Sequence, residues 1–222
     1  MICWRCGTKN HDNSVRTFLC GRCQKDAENL SDLYDEVQEC TACPLHETAK
    51  NKVVGKGFWA GPILFIGEAP GRKEDEEGYP FVGAAGKILD TLIDYIKLKP
   101  DTYFITNVVR CRPLDNRVPT IEERLACRPF LQRTIEYVKP GIIVTLGLTA
   151  TQSITELYKR NIAEKSMGDL HGKLIYVNDL TILPTYHPAA IIYNGLLIDA
   201  VKEDFKLLRR LFDGLRVDRG IR

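Results

Sequence analysis

Ile63-Leu64-Phe65-Ile66-Gly67-Glu68-Ala69-Pro70-Gly71, continued by Arg72-Lys73-Glu74-Asp75-Glu76-Glu77-Gly78-Tyr79-Pro80-Phe81-Val82-Gly83-Ala84-Ala85-Gly86, is the stretch on which the reading of this chain turns. A short apolar run closed by glycine has the length and composition of a buried strand, and the pattern after residue 84 becomes helical. The segment between them leaves the C-terminal end of a strand carrying carboxylates, a ring and flexible backbone, at the edge where open α/β sheets bind ligands. Its glycines do not make a phosphate cradle. A Walker loop requires glycine five residues before Gly86-Lys87 and Ser or Thr after them, and the chain has Phe81 and Ile88 there. No Gly-x-Gly-x-x-Gly closes the strand, so a dinucleotide fingerprint is excluded as well.

Apolar runs and helical patterns alternate from this point on: residues 63–66 then 84–97, 103–109 then 120–138, 142–146 then 149–158. That alternation predicts a parallel sheet with helices on both faces. Thr120-x-x-Glu123 has the form of a capping box, and Pro129 is expected to split the helix after it or restart it. Residues 174–177 and 181–184, separated by Asn178-Asp179, read as a hairpin or two short strands near the edge. Residues 199–212 close the chain as an amphipathic helix.

With 222 residues, 44% of them hydrophobic, the chain can bury one α/β core and carry a small appendage. The net charge of +2 is unevenly placed. Residues 1–25 hold Arg5, Lys9, Arg16, Arg22 and Lys25 against Asp12 alone, and Asp26 to Glu39 reads as an acidic connector. No apolar run reaches membrane-spanning length and the first residues lack the apolar core of a signal peptide. The expectation is a soluble, cytoplasmic monomer with no membrane partner.

Six of the eight cysteines fall in Cys-x-x-Cys pairs, which without an export signal points to metal rather than disulfides. Cys3, Cys6, Cys20 and Cys23 have the spacing of a four-thiolate zinc ribbon, whose metal would supply the folding energy of a segment too short for its own core. Cys40, Cys43, Cys111 and Cys127 are less regular. Cys111 ends an apolar strand and Cys127 precedes Pro129 at an expected helix start, edge positions able to converge with the upstream pair. From spacing alone they admit zinc, an iron–sulfur cluster, or ordinary buried thiols at Cys111 and Cys127. Glu68, Asn107 and His187 all fall where strands should end. Singly, Asn107 reads as a turn former and His187 as a histidine satisfied by a carbonyl; together on one sheet edge they read as a site.

The motifs Gly67-Glu68-Ala69-Pro70-Gly71, Glu74-Asp75 through Pro80-Phe81-Val82-Gly83 to Gly86, Ile105-Thr106-Asn107-Val108-Val109-Arg110-Cys111-Arg112-Pro113, Asn116-Arg117-x-Pro119 and His187-Pro188-Ala189 together resemble the family 4 uracil-DNA glycosylases, over roughly residues 35–212. That resemblance implies a three-layer α/β/α domain at 31–222 with a central, mostly parallel four-stranded sheet; the zinc-ribbon module read from cysteine spacing would precede it at 1–30. It implies a structural [4Fe–4S] cluster on Cys40, Cys43, Cys111 and Cys127. It implies hydrolysis of the bond between deoxyribose and uracil, with uracil-containing DNA as the partner and an abasic site as the product. Glu68 would hold the attacking water and His187 would donate to uracil O2. Asn107 would read N3–H and O4, Phe81 would stack on the flipped base, Glu74 would bar the 5-methyl of thymine, and Ala69, Pro70 and Asn116 would complete the substrate pocket. Arg110, Arg112, Arg117 and Arg124 would grip DNA. Two departures stand out: Tyr193-Asn194 replaces an arginine that many members carry, and the ribbon is an addition, open to a role in DNA grip, protein docking or stability. The competing readings are a glycosylase of broader specificity for deaminated bases and a non-catalytic DNA- or uracil-binding module recruited through the ribbon.

Overall fold

The computed structural model describes residues 21–160, 162 and 164–218. The chain runs α1 (Gly21–Glu39), α2 (Leu45–Thr48), β1 (Lys56–Gly57), β2 (Ile63–Gly67), α3 (Arg72–Glu77), α4 (Ala84–Tyr95), β3 (Tyr103–Asn107), α5 (Ile121–Val138), β4 (Ile142–Leu146) and α6 (Leu148–Leu157). It continues through α7 (Met167–Leu170), β5 (Ile175–Val177), β6 (Leu180–Thr185) and α8 (Pro188–Tyr193) to α9 (Ile198–Asp218).

The strands form one sheet in the order β1-β3-β2-β4-β6-β5. β3, β2, β4 and β6 are mutually parallel, and β1 and β5 pair antiparallel at the two edges. Among the described residues, six strands replace the four expected. The parallel four are the continuous apolar runs that a sheet buried on both faces demands; β1 is two residues long, too short to leave a hydrophobic signature, and β5 is the outer half of the hairpin. Along β2, Ile63 and Phe65 face a core with Leu89 and Ile93 of α4 and Phe205 and Leu208 of α9. Leu64 and Ile66 face the opposite core with Leu131 and Ile135 of α5 and Ile154 of α6. Successive residues thus serve opposite layers.

From β2 the chain passes to β3 on one side and then crosses to β4 on the other, which places the reversal of strand order at the C-terminal end of β2. Such a switch point opens a crevice that no crossover helix fills.

Several local expectations change. Residues 26–39, read as a connector, belong to α1, which runs unbroken past residue 30. Its buried Leu30, Leu33 and Val37 repeat at helical spacing, and it packs on α5, with Lys139 donating to Asp26 at 2.6 Å and Arg133 to Glu36 at 2.6 Å. Helix α5 carries Pro129 in its interior without splitting, and Cys127 therefore sits mid-helix rather than at a start. Both halves of α5 are independently held: Thr120 and Glu123 form the reciprocal capping box, and Leu131, Ile135 and Val138 pack on the sheet. Tertiary burial outweighs the one backbone bond that proline removes. No helix among the described residues is long and apolar enough to cross a membrane.

Candidate active site

At the switch point lies a cleft of about 450 Å3, within the usual range for small-ligand sites. Glu68, Ala69, Pro70, Glu74, Phe81, Asn107, Asn116 and His187, the residues singled out from sequence, all line it. They come from the ends of three parallel strands, from α3, from the loop between β3 and α5 and from the turn before α4.

Glu68 follows β2 directly. Its carbonyl accepts from Val109 N–H at 3.2 Å and the Gly67 carbonyl accepts from Val108 N–H at 2.9 Å, so the two chains stay hydrogen-bonded just past the strands and anchor the backbone beneath the carboxylate. Asn107 ends β3 in register with Gly67. It is 1% exposed, and its Oδ1 has no hydrogen-bond partner. A buried carbonyl oxygen without a donor costs about 1–3 kcal/mol, a cost a fold retains where a ligand supplies the donor. A Cβ on Gly67 would stand 2.4 Å from that oxygen and 2.7 Å from Phe81 Cζ; only glycine lets the amide and the ring meet across the strand end.

Phe81 has φ 54, an uncommon conformation for a bulky residue. The turn is clamped from three sides. Glu74 Oε1 accepts from Val82 N–H at 2.9 Å and Gly83 N–H at 2.8 Å, and Lys56 Nζ donates to the Phe81 carbonyl at 2.9 Å. A Cβ on Gly86 would lie 2.0 Å from that carbonyl, so α4 can begin this close to the turn only with glycine there. The Phe81 ring stands 5.7 Å from the His187 ring, tilted by 31°.

His187 is the N-cap of α8 and its Nδ1 accepts the Ala189 N–H at 3.1 Å. A ring nitrogen that accepts carries no proton, so in the neutral ring the proton is on Nε2. Burial pushes the imidazole down to about 4, with Glu74 pulling weakly the other way. At neutral pH the ring is an uncharged Nε2–H donor of settled tautomer. Two residues upstream, Thr185 Oγ1 donates to Asp204 Oδ2 of α9 at 2.7 Å, which fixes the end of β6.

The cleft wall also contains Gly147, Leu148 and Thr149 at the β4–α6 junction, and Tyr193 at its mouth. The 147–149 wall was missed from sequence. The available signal was the glycine after an apolar run: Gly147 has φ 93, and a Cβ there would lie 3.1 Å from His187 Cβ. Of the arginines assigned to DNA grip, Arg110 is 1% exposed and cannot reach a phosphate. Arg112 Nε donates to Asn116 Oδ1 at 2.8 Å, and Arg117 forms a forked pair with Glu123 at 2.8 and 2.6 Å. Arg124 donates to Ser153 Oγ at 3.2 Å.

Cys40, Cys43, Cys111 and Cys127 line one largely apolar pocket between the α1–α2 link, the segment after β3 and α5. Among the described residues no group of three or more His, Cys, Asp or Glu side chains is gathered as a single metal ion requires. Three of these thiols are hard to ionise: burial and the neighbouring sulfurs push Cys111 up to about 12 and raise Cys43 and Cys127. Four mutually repelling thiolates on one dry wall fit a polynuclear, positively charged inorganic core, which spreads its ligands wider than one ion does. Cys23 is buried in the first turn of α1, while Cys3, Cys6 and Cys20 of the expected ribbon lie outside the described residues.

Comparison with known proteins gives concordant matches. The family described as the Uracil DNA glycosylase superfamily matches residues 58–211. A type-4 uracil-DNA glycosylase of Saccharolobus solfataricus is 45% identical, covering 82% of this chain and 86% of that protein. The type-4 enzymes of Archaeoglobus fulgidus and Thermotoga maritima are each 40% identical, covering 83% and 75% of this chain and 94% and 85% of their own lengths.

Proposed function

The chain belongs to the uracil DNA glycosylase superfamily, and from that membership we infer the work of each side chain in the cleft. The protein acts as a uracil-DNA glycosylase: it hydrolyses the N-glycosidic bond of uracil in DNA, leaving an abasic site for repair. The observation that carries the assignment of the pocket is the orphaned Oδ1 of Asn107. Uracil offers N3–H to that acceptor and O4 to the amide's N–H2. Cytosine presents an acceptor at N3 and a donor at N4, so both contacts fail and buried groups stay unpaired, a penalty that hydrogen-bonding sites convert into large discrimination.

Phe81 stacks on the extruded base, and such stacking is worth about 1–3 kcal/mol per base, against a flipping cost of a few kcal/mol. As the glycosidic bond lengthens, negative charge gathers on the uracil ring and positive character on the sugar. The His187 Nε2–H, already neutral and oriented, donates to O2 as that charge builds; one such donor is worth roughly 3–4 kcal/mol. A protonated imidazole is not required. Glu68, half-buried at the cleft floor, holds the attacking water and faces the cationic sugar. Glu74, while clamping the Phe81 turn, also contributes the wall that bars the thymine methyl. Ala69 and Pro70 close the pocket, and Asn116 with Arg112 and Arg117 forms a rim for the strand.

We propose that Cys40, Cys43, Cys111 and Cys127 hold a [4Fe–4S] cluster, which when bound cross-links three segments of the fold and takes no part in the hydrolysis. Cys3, Cys6, Cys20 and Cys23 are proposed to bind zinc, in support of which Cys23 opens a helix. Elemental analysis should find iron and acid-labile sulfide in equal amounts, with zinc in smaller amount; zinc without iron rejects the cluster.

The function is tested with a labelled strand holding one uracil, followed by alkali. Cutting is expected at uracil and at neither thymine nor cytosine. Glu68→Gln and His187→Ala should each lower kcat by about 10²–10³. An uncut strand from iron-loaded protein rejects the enzymatic reading.

A further inference from the structure

Arg110 is among the largest fully buried side chains of the protein, and no carboxylate among the described residues pairs with it. Its Nη1 donates to Thr106 Oγ1 and, at 2.6 Å, to the Asn107 carbonyl; its Nη2 donates to Thr134 Oγ1 at 2.9 Å. All three acceptors are neutral, and Nε has no partner. The hydroxyls are committed elsewhere as donors, Thr106 to the Val54 carbonyl and Thr134 to the Phe130 carbonyl. They therefore meet the cation with lone pairs, and no opposite charge comes from them. An unneutralised guanidinium in a protein interior carries a large desolvation penalty. The fold keeps it where an anion can be supplied from another source.

That source is adjacent. Arg110 lines the same pocket wall as the four cysteines, and Cys111 and Cys127 are among the groups whose charge acts on it most strongly. Arg110 also directly precedes Cys111 in the chain, and Cys111 lines that wall beside it. Four thiolates around a [4Fe–4S] core carry more negative charge than the core carries positive, so the ligated cluster is a net anion.

We propose that Arg110 is the buried counter-cation of the cluster and that, through its bonds at Thr106 and the Asn107 carbonyl, it couples loading of that site to the placement of the amide that reads uracil. Arg110 is thus a positioning residue: it touches neither the base nor the sugar. The inference rests on the cluster reading given above. It assigns to this arginine a charge function in place of contact with DNA.

The test uses the iron-loaded full chain and follows bleaching of the cluster's visible absorption in excess chelator, alongside binding of free uracil. Wild type, Arg110→Met, Arg110→Lys and Thr134→Asp are compared. Removing the charge should speed bleaching about 10–100-fold, the range found when groups just outside a metal's ligands are lost. Arg110→Lys, which restores charge without the fork, should return the rate toward wild type. Thr134→Asp offers the guanidinium a competing anion and should speed bleaching with Arg110 still present, which keeps the test decisive if Arg110→Met fails to accumulate. Uracil affinity should fall in step with bleaching rate across the series. Wild-type protein without iron sinks the cluster reading. Iron-loaded protein in which Arg110→Met or Thr134→Asp bleaches at the wild-type rate, or in which Arg110→Lys bleaches as fast as Arg110→Met, overturns this inference alone.

Discussion

Phe81 is held where its own backbone resists. A positive φ on a bulky residue costs on the order of 1–3 kcal/mol, and two charge-assisted bonds that Glu74 Oε1 accepts from Val82 and Gly83 N–H offset it. Glu74→Ala should therefore lower unfolding stability by about 3 kcal/mol, since it leaves buried donors unpaired, and should weaken uracil binding together with stability. Glu74→Gln keeps an oxygen at the same place and should lose much less. Denaturant midpoints check the order; equal losses would remove the clamp from the account. His187 carries a second residue-scale prediction. Its native ionisation lies near 4 and that of an unfolded histidine near about 6.5, so below the higher value the unfolded chain binds a proton that the native state refuses. Stability from this group is present above about pH 6.5 and drains away as pH falls toward 4. Nitrogen NMR of His187 should show a neutral ring with the proton on Nε2 across pH 5–8; a titration near 6.5 contradicts the neutral donor.

At the scale of elements, the site depends on how closely helices and turns approach the sheet ends. Helix α4 starts against the Phe81 carbonyl through Gly86, with no room for a methyl group. Gly86→Ala should leave helix content by circular dichroism unchanged and lower kcat/KM by at least about tenfold, because a displacement near 1 Å in a positioning group is that costly. Undiminished activity in Gly86→Ala would show that the turn tolerates displacement. Helix α5 shows the opposite balance, since Pro129 ought to interrupt it and does not. The capping box at one end and burial of Leu131, Ile135 and Val138 at the other hold both halves on one axis, and Cys127 is presented from the middle of a rigid element.

Across the whole molecule, the reversal of strand order beside β2 brings Glu68, Asn107 and His187 to one crevice, while the four cysteines gather on the side where α1 and α5 meet. The proposed cluster site links the α1–α2 segment, the end of β3 and α5. Removing iron should therefore release residues 40–48 first. Hydrogen exchange after chelation is expected to rise there and around residues 107–112, with β2 and β4 still protected. Uniform exchange loss throughout the sheet would mean that the cluster supports the entire core rather than one corner of it.

Much of this was already legible along the chain. Continuous apolar runs such as 63–66 and 142–146 mark strands buried on both faces, because each residue serves one of two cores, and Thr120 with Glu123 announces a helix start by its own hydrogen bonds. Local chemistry also marked Glu68, Asn107 and His187 as strand-end residues. What local chemistry could not carry was partnership. The charges of residues 26–39 hid a helix whose small apolar stripe has meaning only against α5; β1 exists only because β3 offers it an edge. Arg110 looked like one more surface cation until its neighbours closed around it. A side chain's intrinsic preferences are written in its own few atoms and those next to it in sequence. Its burial, the charge it faces and the strain it bears are set by groups that folding alone brings near, and those are the quantities that turn a strand end into a cleft.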